Sequence, residues 1–313
     1  MATIDILILT MVKGIGPATI KKNLYRLKHG ISACELIGDL KPAELKNIST
    51  YESNAEEIIS VCHKEGIDII DISSCMYPAS LLEISNPPAV LYVKGNKKLL
   101  EKKVIAIIGT RHSTELGNRI AERLGEYFSQ GFAICNGLVE GIDEHSIYIN
   151  GKIVSNVIGV LSGGLCYKLT CSKNHIRVIE DVLNSNGLIV SEFPPMKNED
   201  MYSGSISSRI QAGLSSGIIL VQSGIDGGSR YTLAKFIKLG RVVGVVSFPS
   251  TPEYQEDSFE ANRLIVEKKE FGLMKFVGLK TSKMLNVKAV IPIANKEDYK
   301  VFETKLTTQL NLF

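Results

Sequence analysis

From residue 104 onward the chain repeats one pattern: an unbroken apolar run, a cluster of small polar residues, then a segment of helix length. The apolar runs are Val104–Ile108, Phe132–Cys135, Asn156–Leu161, Leu188–Val190, Gly217–Val221 and Val242–Val246. A strand with one wet face alternates apolar and polar residues, whereas a strand apolar throughout is covered on both faces. The intervening segments, near 115–130, 140–150, 173–185, 205–214 and 230–239, predict helices. Buried strands alternating with helices predict an α/β class, a doubly wound, mostly parallel Rossmann-like sheet.

The first part of the chain reads differently. Residues 1–66 carry apolar positions at helical spacing (Leu7, Met11, Ile15, Ile20, Leu24, Leu27), interrupted at Gly14-Ile15-Gly16-Pro17 and ended by Gly66. Short strands follow at Ile67–Ile72 and Ala89–Val93. The expected organisation is a small helical domain over 1–66, a Rossmann-like domain over 67–272, and a short C-terminal tail over 273–313. That tail offers one strand (Val287–Ile293) and one helix (about Glu297–Thr308).

Composition narrows the class. With 313 residues and 44% hydrophobic content, the chain can bury a substantial core. No apolar run reaches the roughly 18 residues of a membrane span, and the start lacks the basic segment of a signal peptide. Basic and acidic residues balance along the chain: 11 against 11 in 1–98, 15 against 13 in 99–250, and 10 against 9 beyond. Nucleic acid would therefore meet a local patch rather than a basic domain. The six cysteines form no C-x-x-C pair, so neither zinc nor a disulfide framework is expected. The expected setting is a reducing cytoplasm, with no membrane partner, no cofactor and no metal.

The predicted strand ends carry the functional signal. Gly109-Thr110-Arg111-His112-Ser113 follows the first strand, and Asn136-Gly137-Leu138 the second. Ser162-Gly163-Gly164 follows the third, Ser191-Glu192-Phe193-Pro194-Pro195 the fourth, and Gln222 through Gly228-Ser229 the fifth. Open α/β sheets bind ligands at this edge, where the free N–H groups of helix N-termini favour phosphate. One such loop is an ordinary tight turn, but several on one edge predict an anion site. The dinucleotide fingerprint G-x-G-x-x-G and the phosphate-loop lysine motif are both absent, which disfavours hydride transfer and phosphate-loop hydrolysis.

In this order the loops resemble the DNA-processing protein A family, also called DprA or Smf, over roughly residues 1–272. Tyr77-Pro78, Pro87-Pro88 and Leu91-Tyr92-Val93-Lys94-Gly95-Asn96 are close to the family lead-in. Ile107-Ile108-Gly109-Thr110-Arg111, Asn136-Gly137-Leu138 with Gly141-Ile142-Asp143, and Ser191-Glu192-Phe193-Pro194-Pro195 continue the match. Arg209-Ile210, Gly228-Ser229 and Asn262-Arg263-Leu264-Ile265 complete it. The resemblance implies a protein without catalytic residues that binds single-stranded DNA, forms a homodimer and helps load the RecA recombinase, in transformation or recombination. It also implies a DNA-phosphate site. The residues expected there are Gly109, Thr110, Arg111, Ser113, Gly137, Ser162, Gly163, Gly164, Lys173, Asn174, Arg209, Gly228 and Ser229.

Several positions depart from the family. Ser207 and Ser208 stand where a family Arg-Asn-Arg begins, which removes one charge. Ile147 stands at a family histidine, and His145 is out of register. Tyr167, Tyr202 and Tyr231 are candidates to stack on bases, with core packing the expected fate of each. At the N-terminus, Gly14-Ile15-Gly16-Pro17 resembles a helix-hairpin-helix, although a packing turn is expected in the absence of a second copy or a basic stripe. Gln309-Leu310-Asn311-Leu312-Phe313 resembles the bacterial sliding-clamp pentapeptide. There Gln309, Leu310, Leu312 and Phe313 would dock on the clamp.

A second function class stays open, a nucleotide-binding or nucleotide-hydrolysing sensor in mobile-element or phage defence. Glu140, Asp143 and Glu192 could then serve as acids or bases, although helix capping or pairing with arginine is the plainer role.

Overall fold

The computed structural model describes residues 3–200, 202–249 and 257–307. Eleven strands form among them: β1 (Asp68–Asp71), β2 (Val90–Gly95), β3 (Val104–Ile108), β4 (Ala133–Asn136), β5 (Tyr148–Ile149), β6 (Lys152–Ile153), β7 (Val157–Val160), β8 (Leu188–Ser191), β9 (Gly217–Leu220), β10 (Arg241–Val246) and β11 (Val287–Ile293). Nine of them make one sheet in the order β1-β2-β8-β7-β4-β3-β9-β10-β11, and β5 pairs with β6 as a separate hairpin. From β8 to β11 every pairing is parallel; only β2 runs against its neighbours. The strands β3, β4, β7, β8, β9 and β10 are buried along their whole lengths, as their apolar runs require. This is the expected α/β, Rossmann-like sheet.

The order places a topological switch at β3 and β9. After β3 the chain lays β4, β7 and β8 outward on one side, then returns through the helix Ser203–Leu214 to place β9 on the other flank of β3. Ligands of open α/β sheets bind in the crevice at such a point.

The predicted helix at 140–150 is reduced to a single turn, Ile142–His145, and the remaining residues form the β5–β6 hairpin. Asn150 and Gly151, both at positive φ, make its turn.

The N-terminal helices are joined to the sheet rather than set apart from it. Leu7, Ile20, Leu36 and Ala55 belong to the same buried cluster as Leu91 and Val93 of β2. Polar ties reinforce this contact: Thr3 Oγ1 donates to Asp71 Oδ2 (2.9 Å), Lys94 Nζ to the Glu65 carbonyl (2.7 Å) and Lys21 Nζ to the Leu82 carbonyl (2.6 Å). Ser32 and Glu35 form a reciprocal capping box on the helix Ala33–Leu40. At Gly14-Ile15-Gly16-Pro17 the isoleucine is buried and the proline opens the next helix, as a packing turn requires.

Residues 273–313 do not behave as a tail where they are described. β11 adds in parallel to β10, with Val243 opposite Val290, and the helix Lys296–Thr307 covers the sheet end. Phe302 is fully buried; its ring and Leu306 fill the space over Gly217, and its ring and Ile293 the space over Gly244, so a Cβ at either glycine would crowd them. The short apolar run of β11 thus finds a partner strand and keeps β10 off the sheet edge. The pentapeptide Gln309–Phe313 lies outside the described residues. No helix among those described is long and apolar enough to cross a membrane.

Replacing Phe302 with Ala would empty this contact. The expected loss is about 3–5 kcal/mol, read as a lower urea midpoint. An unchanged midpoint would show that the C-terminal helix is dispensable.

Candidate nucleic-acid interface

A cleft of about 810 Å³ opens at the carboxyl ends of β3 and β9. Its walls come from three sources. The loop after β3 supplies Gly109, Thr110, Arg111 and His112; the loops after β4 and β7 supply Gly137, Val139, Asp143 and Ser162. The helices Ser203–Leu214 and Ser229–Phe236 supply Gly204, Ser205, Ser207, Ser208, Gln211, Gly228, Ser229 and Thr232. Both helices reach the cleft at their N-termini, but that of Ser203–Leu214 is capped by Asp200, whose Oδ1 accepts the Tyr202 and Ser203 N–H groups (2.9 Å each), so the positive helix end offered to the cleft is that of Ser229–Phe236. The Gly228 and Ser229 N–H groups have no carbonyl partner among the described residues. Ser208 and Thr232 link the two helices through their hydroxyls (3.2 Å).

Backbone conformation brings the first loop close. Gly141 has a φ of +83°, and a Cβ there would lie 2.4 Å from the Thr110 carbonyl. Only glycine fits, and the Ile142 N–H bonds to that same carbonyl (3.2 Å). The base of the crevice closes where Thr110 N–H donates to the Gln222 carbonyl (2.8 Å).

Few charges reach this space. Arg111 is exposed at the mouth and makes no hydrogen bond or ion pair with any described residue. Asp143 is buried at the floor, where its Oδ2 accepts the Gly137 N–H (2.8 Å). Burial pushes its carboxyl up to about 7, against the opposing pull of the Gly137 amide and the Arg111 charge. Beside the cleft, burial holds the His175 imidazole below its usual value.

Not every expected residue faces the cleft. Gly109, Thr110, Arg111, Gly137, Ser162, Gly228 and Ser229 line it. Arg209 does not. Its guanidinium forks onto both oxygens of Glu192 and donates to the carbonyls of Asn86 and Ile206. Both partners are largely buried, so Arg209 is a structural tie. Lys173 and Asn174 stand exposed on the first turn of the helix Lys173–Asn184, away from the cleft wall. Gly163 and Gly164 pack beneath the wall, where Gly164 N–H donates to the Lys197 carbonyl (2.7 Å). Ser113 is turned onto Asn118.

Of the tyrosines, only Tyr167 is buried; Tyr202 and Tyr231 stand 70% and 46% exposed on the rim. His145 pairs with Glu122 outside the cleft. The run of small residues opening the helix Ser203–Leu214 was the available sign that Gly204, Ser205, Ser207 and Ser208 form a wall.

The Asp143 shift has a measurable consequence. A carboxyl whose folded value lies above its unfolded one stabilises the native state only while protonated. That contribution is complete at low pH and is lost as pH rises from about 4 through about 7. Asp143→Asn should therefore flatten the stability profile over this range. At pH 8 it should match or exceed the parent, by on the order of 2–4 kcal/mol at most. Urea melts at several pH values test this, and a parallel wild-type and variant profile would refute it.

Comparison with known proteins agrees with this geometry. The chain is similar to DNA processing protein DprA of Bacillus subtilis, at 33% identity over 210 residues, covering 66% of this chain and 70% of that protein. It is 31% identical to protein Smf of Escherichia coli over 186 residues, 58% of this chain and 48% of that one. Thus the match spans about half the length of the E. coli relative. Its fold resembles the crystal structure of DNA processing protein A from Streptococcus pneumoniae, with a TM-score of 0.68 over 96% of this chain and 98% of that one at 19% identity. DNA processing protein A from Helicobacter pylori, described for its single-stranded DNA binding mode, gives a TM-score of 0.60 at 21% identity over 77% of this chain and 96% of that one. The family profile described as DNA recombination-mediator protein A matches residues 68–271, and the chain belongs to that family.

Proposed function

We propose that the cleft holds the phosphate backbone of single-stranded DNA, and that the protein is a recombination mediator that protects such DNA and helps load the RecA recombinase. The observation that carries this reading is Arg111. Among the described residues it is the one arginine lining the cleft, it is exposed, and the N-terminus of the helix Ser229–Phe236 opens beside it. A guanidinium forks onto phosphate oxygens, and helix N-terminal amides add donors without needing further cations. Tyr202 and Tyr231 on the rim offer ring faces to successive bases, each worth about 1–3 kcal/mol when stacked. The H. pylori relative, described by its single-stranded DNA binding mode, supports the same assignment.

The finer reading follows the family in a cytoplasmic homodimer acting in transformation or recombination; apart from the family, Gln309–Phe313 is read as a clamp-docking segment from its resemblance to the sliding-clamp pentapeptide.

Anisotropy of a fluorescent oligo-dT across a salt series tests the site. Arg111→Ala should weaken binding roughly 10- to 100-fold at low salt. The slope of log K against log salt should become shallower by about 0.7 for the one lost phosphate contact. Arg209→Ala serves as the contrast. Breaking a buried pair should cost about 3–5 kcal/mol of stability while leaving the affinity of the folded protein unchanged. Equal binding by wild type and Arg111→Ala would place the DNA elsewhere.

One observation favours a second reading. A cleft with a single cation and a carboxyl titrating near neutrality also suits a free nucleotide. Nucleotide binding or turnover, in the absence of oligo-dT binding, would select it.

A further inference from the structure

Two loops border the cleft on its β7–β8 side, residues 161–172 and residues 192–200. Backbone bonds tie them together: Gly164 N–H donates to the Lys197 carbonyl (2.7 Å) and Cys166 N–H to the Pro195 carbonyl (2.9 Å). Where the first loop enters the helix Lys173–Asn184, three side chains of different donor chemistry meet. Cys171 stands just before the N-cap Ser172, in extended backbone, and His175 lies in the first turn of the helix. Glu199 arrives from the second loop. One donor atom from each (Sγ, a ring nitrogen and a carboxylate oxygen) lies within 4.8 Å of the other two.

Ordinary hydrogen bonding does not account for the cluster. Glu199 Oε1 is 3.8 Å from His175 Nδ1, beyond a hydrogen bond. Cys171 Sγ has only a weak contact with Thr170 Oγ1, also at 3.8 Å. The His175 side chain is just 10% exposed, and its Nε2 is buried with no partner. The ring nitrogen that faces Glu199 is Nδ1, so Nδ1 is the atom that would take a ligand, and the unpartnered Nε2 lies on another edge of the ring.

We propose that Cys171, His175 and Glu199 form a site for one zinc-class divalent cation, which staples the loop after β7 to the loop after β8 at the edge of the cleft. One thiolate, one imidazole and one carboxylate are a zinc donor set, whereas calcium and magnesium take oxygen donors. Zinc bonds of about 2.0–2.3 Å put the donors of a tetrahedral site roughly 3.3–3.8 Å apart. The nitrogen–oxygen pair of His175 and Glu199, at 3.8 Å, would close by roughly half an ångström, and the widest donor pair by about one ångström or more. Binding expels the Cys171 proton to solvent as the metal–sulfur bond forms. Three protein ligands leave a fourth position for water or a ligand oxygen. Glu199 Cγ packs where a Gly163 Cβ would sit (3.0 Å), and the Gly137 backbone and the Arg111 charge both act on His175. The cation would therefore stiffen the wall next to Ser162.

Cobalt titration of the chelator-stripped full chain, with no DNA present, tests the site. The expected result is one cobalt per chain, a thiolate-to-cobalt charge-transfer band in the near ultraviolet, and its loss on adding zinc. Cys171→Ser should abolish the band. His175→Ala and Glu199→Gln should each weaken binding at least tenfold, and zinc should raise the melting midpoint of wild type but of none of the three. Glu199 is on the surface, so Glu199→Gln decides the matter if either other variant fails to fold. A wild type without the thiolate band overturns the proposal. So does a band of unchanged affinity in Glu199→Gln, which would place the metal at another cysteine.

Discussion

The cleft exists because β3 and β9 lie side by side while the chain leaves them in opposite directions. After β3 the next strand pairs on one side, and after β9 the next strand pairs on the other. Right-handed crossovers then send the following helices to opposite faces of the sheet, and the gap between the two strand ends stays uncovered. The ladder runs two residues past each strand, through Val221 N–H to the Ile108 carbonyl (2.9 Å) and Thr110 N–H to the Gln222 carbonyl (2.8 Å). Beyond that point backbone polar groups need a side chain or a ligand. Gln222 provides the side chain on one flank, where its Oε1 accepts the Thr114 N–H (3.0 Å) and sets the loop that presents Arg111.

Burial sorts the arginines around this gap. Arg241 sits at the start of β10, almost fully buried, and donates to the carbonyls of Ala212, Gly213 and Ser215 (2.9, 2.8 and 2.6 Å) and to Glu83. Those carbonyls end the helix Ser203–Leu214, whose N-terminus opens on the cleft. A cation therefore satisfies the negative end of the dipole inside the protein, and at the other end the Asp200 carboxylate accepts the Tyr202 and Ser203 N–H groups. Arg209, on the same helix, is neutralised by Glu192. Removing either charge would leave a buried partner unpaired, a structural loss rather than a binding loss. Arg111 carries no such obligation.

Local patterns made the sheet legible. A run such as Val157–Val160 can only be a strand buried on both faces, and the small residues after it mark the edge where ligands meet backbone. What remained hidden depends on contacts between distant residues. Whether Arg209 faces solvent or Glu192 turns on how a helix docks over β8, and no spacing in the chain encodes that. Likewise β11 and its helix read as a tail because one strand and one helix carry no sign of their partner, while Gly217 and Gly244 show only in three dimensions that Phe302 must lie on them. Tyr202 and Tyr231 were expected to pack inward. They stay out because each flanks a helix N-terminus whose buried face is taken by small residues. The Cys171–His175–Glu199 cluster escapes the C-x-x-C pattern because its third member comes from another loop.

The serines that replace charge beneath the cleft change what the wall can offer. Ser207 and Ser208 Oγ both donate back to the Gly204 carbonyl (3.1 and 2.9 Å), and Ser229 donates to Ser223 (2.9 Å). Their hydroxyl protons are thus spent within the protein, as for serines bonded to the preceding helical turn. What remains for a ligand is lone pairs. An anion gains nothing from lone pairs, so its place is at the Arg111 and Gly228–Ser229 side, where the donors are. On the proposed reading, Arg111 and the Gly228–Ser229 amides would fix the phosphate backbone, and the serine wall, its Ser207 and Ser208 hydroxyls already donating within the helix, would meet an N–H edge of a base that the backbone carries.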